Sequence, residues 1–221
     1  VAVELGPELG VTLTTVTSLV EFWKAWLTAA TPGTAARSFV AALATAVAST
    51  TWAVLELVTR GKASVLGFCS GAVAGLVTIT PACGFVDPTG AIVIGVVGGV
   101  IPFLACTKLK SHFGYDDALD VFGVHAVGGI LGALLTGVFN SQDLGGPGLV
   151  TDWVTAKVGS NPIMDQLLIQ AKAVGTTVIW TAVVAFIAFK IADIIVGLRV
   201  SEEAEREGLD VNEHGETAYH M

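Results

Sequence analysis

Long apolar runs separated by short polar connections organise this sequence. Five are clear, over residues 35–58, 64–83, 89–108, 119–140 and 166–197. A helix of about 20 apolar residues spans the roughly 30 Å hydrocarbon core of a bilayer. The pattern therefore predicts an all-α membrane protein, a helical bundle of five transmembrane helices. The last run is longer than a bilayer requires, which predicts a tilted helix or one that projects beyond the membrane. Segment 9–30, LGVTLTTVTSLVEFWKAWLTAA, is a weaker sixth candidate. Glu21 and Lys24 interrupt it, so it reads as an amphipathic or re-entrant piece.

Composition agrees with the runs. The chain is 53% hydrophobic and 14% charged, against about 25% charged in a soluble domain. The formal net charge of −8 is unevenly spread. Leu198–Met221 carries seven acids against Arg199 and Arg206, leaving only −3 on the other 197 residues. With no basic stripe, nucleic-acid binding is excluded as a function class. Cys69, Cys83 and Cys106 all lie in apolar runs and form neither a CxxC pair nor a metal-ligand spacing, so no metal or other cofactor is expected. No signal peptide opens the chain. Val1 in place of Met fits a processed or truncated chain.

The basic residues predict the topology. Arg60 and Lys62 lie between the first two runs, Lys108 and Lys110 between the third and fourth, and Lys190 and Arg199 around the end of the fifth. Connections 84–88 and 141–165 share one basic residue, Lys157. The positive-inside rule then places the acidic tail in the cytoplasm and these two connections outside, in a multi-pass membrane protein. Small residues recur at helical spacing: Gly67, Gly71 and Gly75; Gly95, Gly98 and Gly99; Gly128 and Gly132. In lipid such stripes let helix backbones approach closely. Pro81 breaks the second run and frees a backbone carbonyl. Thr80 can re-satisfy that carbonyl or line a vestibule.

His125 is the one titratable group between Asp120 and the end of its run. Histidine is the side-chain type whose proton can be gained or lost near neutral pH, and ionisable groups in mid-membrane usually face a pathway or a partner. The residue alone leaves three readings open. It can line a pore for a small weak base or acid, accepting one hydrogen bond and donating another. It can act as the base for Ser70 of GFCSGAVAG in a Ser–His dyad like that of rhomboid intramembrane proteases. It can also be a core histidine bonded to a backbone carbonyl. Asp120, five residues earlier, falls on a different helix face. Asp116, Asp117 and Asp120 cluster at the start of the run, where at least one is expected to cap the helix. His112 reads as a solvated loop histidine.

Longer patterns favour the first reading. YDDALDVFGVHAVGGILGALLTGVF resembles the tenth membrane helix of the ammonium transporter family (Amt/Mep/Rh). RGKASVLGFCSGAVAGLVTITPACGFVDPTGAIVIGVVGG resembles that family's eighth and ninth helices, and KIADIIVGLRVSEEAEREGLDVNEHGETAY its eleventh helix and tail. The resemblance covers about residues 35–221, whereas the rhomboid likeness stops at the short serine and histidine patterns. It implies a homotrimer of eleven-helix subunits, each with its own pore for ammonium or ammonia. His125 matches the second of two proton-relaying pore histidines, and Val121 a pore-lining apolar position. Ser70 and Val73 fall near the path on the half-broken eighth helix, with Thr80 beyond them. Asp120 matches a structural acid. Gly208, Leu209, Asp210, His214, Gly215, Glu216 and Tyr219 match a regulatory tail that helps PII signalling proteins dock.

These expectations divide the chain into a divergent segment, 1–34, a transmembrane bundle, 35–197, matching helices seven to eleven, and a cytoplasmic tail, 198–221. LVEFWKAWL, residues 19–27, stands in register with the family's sixth helix, but Trp23, Lys24 and Leu27 replace its usual phenylalanine, asparagine and serine. The other pore histidine is not in this chain. The family's pore lies between two inverted halves, so the reading is the C-terminal half of a non-enzymatic transporter subunit, needing its N-terminal half or a complementing chain. The alternatives are a non-conducting ammonium sensor or half-subunit and, more remotely, a serine hydrolase using Ser70 and His125.

Overall fold

The computed structural model describes residues 34–152, 157–159 and 162–216. The weak candidate at 9–30 and Tyr219 lie outside them. Five long elements carry the fold: α1 (Thr34–Arg60), α2 (Val65–Ile79), α3 (Pro88–Leu104), α4 (Gly128–Phe139) and α5 (Ile163–Ile195). A π turn, Ala105–Leu109, and a last α turn, Lys110–Phe113, extend α3. A second π turn, Phe122–Val127, leads into α4. With these extensions, four helices among the described residues are long and apolar enough to cross a membrane.

The second apolar run is the exception among the five. Its helix has only 15 residues, about 22 Å, short of the hydrocarbon thickness. It stops at Ile79 because Pro81 follows, and residues 80–85 form consecutive turns held by Ala82 N and Cys83 N donating to Ile79 O. The 141–165 connection is not wholly irregular. Within it a 3₁₀ turn, Gln142–Leu144, precedes a short antiparallel ribbon of β1 (Leu149–Asp152) and β2 (Lys157–Gly159), with Val150 opposite Val158.

Local sequence explains the helix starts. Ser64 caps α2 by accepting from Gly67 N at 2.9 Å. Asp87 caps α3 by accepting from Gly90 N at 2.7 Å, with Pro88 in the first turn where its missing N–H costs nothing.

Packing is set by small residues. α1 packs against both α2 and α3, which also touch each other. A methyl group built on Gly71 would come 2.6 Å from Trp52 Cβ and 3.1 Å from Ala48 O, and one on Gly99 would come 2.9 Å from that same oxygen. Gly75 and Gly95 close on Ala44 O in the same way. The expected glycine stripes are thus helix contacts. One buried cluster joins Val40, Ala44, Ile79, Ala82, Val86, Ala91 and Ile94. Toward the Arg60 end a second joins Trp52, Ala74, Phe103 and Val124, with the Trp52 and Phe103 rings edge to face at 5.3 Å.

Contacts divide the chain between Ala171 and Lys172, within α5. The unit beyond that point ends in two short helices, α6 (Glu202–Glu207) and α7 (Leu209–His214).

Candidate functional site

The π turn that precedes α4 presents His125. A π turn holds one residue more than an α turn, and such turns gather at functional sites. Its start is fixed by an acid, as the sequence predicts. Asp117 is the capping acid: its carboxylate accepts from Val121 N at 2.8 Å and Phe122 N at 2.9 Å. Asp120 accepts a charged hydrogen bond from Lys110 Nζ at 2.8 Å instead.

His125 is exposed on the bundle surface and lines a groove of about 530 Å³ with Tyr115, Asp116, Asp117, Val121, Phe122 and Ala126. The walls are largely apolar, with acids at one end. Tyr115 and Phe122 meet edge to face at 5.5 Å. The Tyr115 hydroxyl is buried without a hydrogen-bond partner. Burial raises its phenol above the ordinary value, and the neighbouring Asp117 carboxylate raises it further.

The other candidate residues sit elsewhere. Ser70 lines a separate chamber of about 130 Å³ with Glu56, Ser64, Cys106, Thr107 and Asp120 among others. No hydrogen bond joins Ser70 to His125, and the two line different cavities, so the dyad geometry of the hydrolase reading is absent. Val73 is exposed on α2. Thr80 is exposed, and its hydroxyl donates to Leu76 O at 2.6 Å. Pro81 frees the carbonyl of Val77, so Thr80 does not re-satisfy it; a threonine hydroxyl reaches the carbonyl four residues before its own. In the tail, Gly208 (φ +110°) separates α6 from α7, and Gly215 (φ +64°) ends α7 with its N–H donating to Asp210 O. Glu216 N also donates to Asp210 O, at 2.8 Å. Leu209, Asp210 and His214 lie on α7 between those glycines.

Sequence reasoning passed over Glu56. It is the one acid in the 35–58 run, the same signal that singled out His125. Its carboxylate is buried and accepts from Ser64 N at 2.8 Å and Ser64 Oγ at 3.0 Å, tying the end of α1 to the start of α2. Gly67 leaves the room that this carboxylate fills. Among the described residues no group of three His, Cys, Asp or Glu side chains is placed to hold a metal.

The family model described as Ammonium Transporter Family matches residues 20–219. The chain belongs to the ammonium transporter family. The match begins inside LVEFWKAWL, earlier than the resemblance at residue 35. Among relatives, an ammonium transporter of Aquifex aeolicus is 46% identical over 180 residues, covering 81% of this chain and 40% of that protein. One of Bacillus subtilis is 40% identical over 172 residues, covering 76% of this chain and 40% of that protein. The crystal structure of Saccharomyces cerevisiae Mep2 superposes with a TM-score of 0.67 at 31% identity, over 86% of this chain and 44% of that one. A protein described as a sensor Amt protein superposes at 0.70 with 26% identity, over 83% and 42%. The chain spans about 40% of the length of the curated relatives it matches. It shares with the ammonium transporters an all-α membrane fold, and the His125 groove lies within the matched region.

Proposed function

We propose that the protein moves ammonium or ammonia across a membrane and that His125 belongs to the path. The observation that carries this reading is an imidazole exposed in an apolar groove, in a chain of the ammonium transporter family. A neutral imidazole there accepts a hydrogen bond on one ring nitrogen and donates one from the other. It can therefore pass a proton while presenting no fixed charge to trap a cation. Val121 and Phe122 supply the apolar wall; Val73, Ser70 and Thr80 are proposed to lie farther along the path, and Asp120 to act structurally. The groove opens on a face of the bundle that the described residues leave uncovered, which fits completion by a second half of the subunit. A trimeric assembly in the plasma or inner membrane and regulation through the cytoplasmic tail, with a PII signalling protein as its partner, extend the same proposal.

The test is methylammonium uptake by cells expressing the complete reading frame. His125→Ala is expected to lower uptake at least tenfold, equivalent to about 1.4 kcal/mol, with unchanged assembly in the membrane. Uptake equal to the unsubstituted protein in an assembled His125→Ala variant overturns the reading.

A further inference from the structure

The two π turns of this bundle are packed against each other. Gly123, in the turn that carries His125, lies directly on Cys106, in the turn that extends α3. A methyl group at residue 123 would overlap the Cys106 sulfur and come 3.0 Å from its backbone nitrogen. Beside this contact, Lys110 Nζ reaches across from the end of α3, donating to the Asp120 carboxylate and also to the Asp117 carbonyl. Asp120 has φ +55°, the one positive φ outside glycine among the described residues. That conformation disfavours most side chains and persists where the surroundings over-determine it. Asp120 O then accepts from Val124 N at 2.9 Å, an α-type bond that overlaps the start of the π turn.

We propose that Lys110 is a positioning residue for His125. By holding Asp120 in its left-handed conformation and pinning the Asp117 carbonyl, the ammonium group fixes where the π turn begins. Winding that turn back to α geometry displaces its residues by one position, about 100° around the helix axis. Such a rotation would carry the imidazole away from the groove wall shared with Val121 and Phe122. The Gly123–Cys106 contact is the second strut of the same arrangement. Lys110 itself is absent from the residues lining the groove and acts only through Asp117 and Asp120.

The inference rests on the transport reading for its activity arm, so the experiment carries a second arm that does not. The complete protein, labelled with 15N at histidine, is reconstituted in lipid, and the His125 imidazole resonances are recorded beside methylammonium uptake. Lys110→Met is expected to move the His125 resonances and cut the maximal uptake rate at least tenfold, and Lys110→Arg to restore both. Unmoved resonances in Lys110→Met overturn the proposal, and so do moved resonances with undiminished uptake. If Lys110→Met does not assemble, Cys106→Ala loosens the second strut; displaced resonances support the proposal and unmoved ones overturn it. Should the unsubstituted protein take up no methylammonium, the transport reading fails, and the resonances alone decide the positioning role.

Discussion

Gly75→Ala tests whether the helix contacts are as tight as the geometry shows. The added methyl would lie 2.6 Å from Ala48 Cβ, 3.0 Å from Thr45 Cα and 3.1 Å from Ala44 O. Carbon atoms in favourable contact sit about 3.5–4.0 Å apart, so α1 and α2 must separate by roughly 1 Å. Gly95 of α3 closes on the same carbonyl, where a methyl would stand 2.7 Å from Ala44 O and 2.9 Å from Val47 Cβ. Overpacking costs about 1–3 kcal/mol, and a methyl that meets backbone atoms, Thr45 Cα and Ala44 O, belongs at the upper end, about 2–3 kcal/mol. That corresponds to roughly 30- to 150-fold in the unfolding equilibrium. Alanine also gains up to about 1 kcal/mol over glycine in helix propensity, which has to be separated out. Gly175→Ala, at an α5 position with nothing within 4 Å, carries that gain without the collision. Both variants are compared by titrating SDS into mixed micelles and following tryptophan fluorescence. The Gly75→Ala midpoint is expected to fall well below that of Gly175→Ala. Coincident midpoints would refute the packing argument.

Three further outcomes follow from single contacts. Glu56→Ala leaves the Ser64 N–H without its carboxylate and is expected to destabilise the protein by about 1–3 kcal/mol, read in the same SDS titration; an unchanged midpoint counts against the tie between α1 and α2. Asp117→Ala removes the acceptor of Val121 N and Phe122 N and is expected to weaken the turn by about 1 kcal/mol, visible as faster amide exchange at those two residues and not in α1. In the tail, the Arg199 guanidinium donates to Glu205 and holds its carboxyl below the ordinary range. A depressed carboxyl pKa stabilises the folded tail above the ordinary value, and this is lost as pH falls through the folded-state value; Arg199→Gln is expected to raise the Glu205 pKa by carboxyl NMR and remove that acid sensitivity.

Hydropathy located the helices well because a bilayer selects on bulk apolarity over about 20 residues. It could not see the end of α2, where one proline inside an apolar run overrides the pattern. The glycine stripes were legible as well, since close backbone approach leaves a periodic mark. The π turns were not, because one extra residue in an apolar stretch changes neither its composition nor its length noticeably. His125 stood out as a lone titratable group, and Val121 one turn away joins it in the groove. The division of labour between Asp117 and Asp120 needed coordinates: both acids suit a helix start, and Lys110, seven and ten residues away, decides which one it engages with its side-chain carboxylate. Glu56 was overlooked although it carries the same signature as His125, an ionisable side chain set in an apolar run.

The packing of α1 against its two successors has a consequence for biosynthesis. Its partners are the next two helices to be made, so the most intimate contacts are also close in sequence. Such local topology favours rapid association. During translation the α1 face that meets α2 is made first, and its contacts with α3 close only when that helix arrives. By the time residue 113 has entered the membrane, every element of this three-helix wedge is present. The wedge can then set before the helix that carries His125 enters the membrane, giving that helix a finished surface on which to dock.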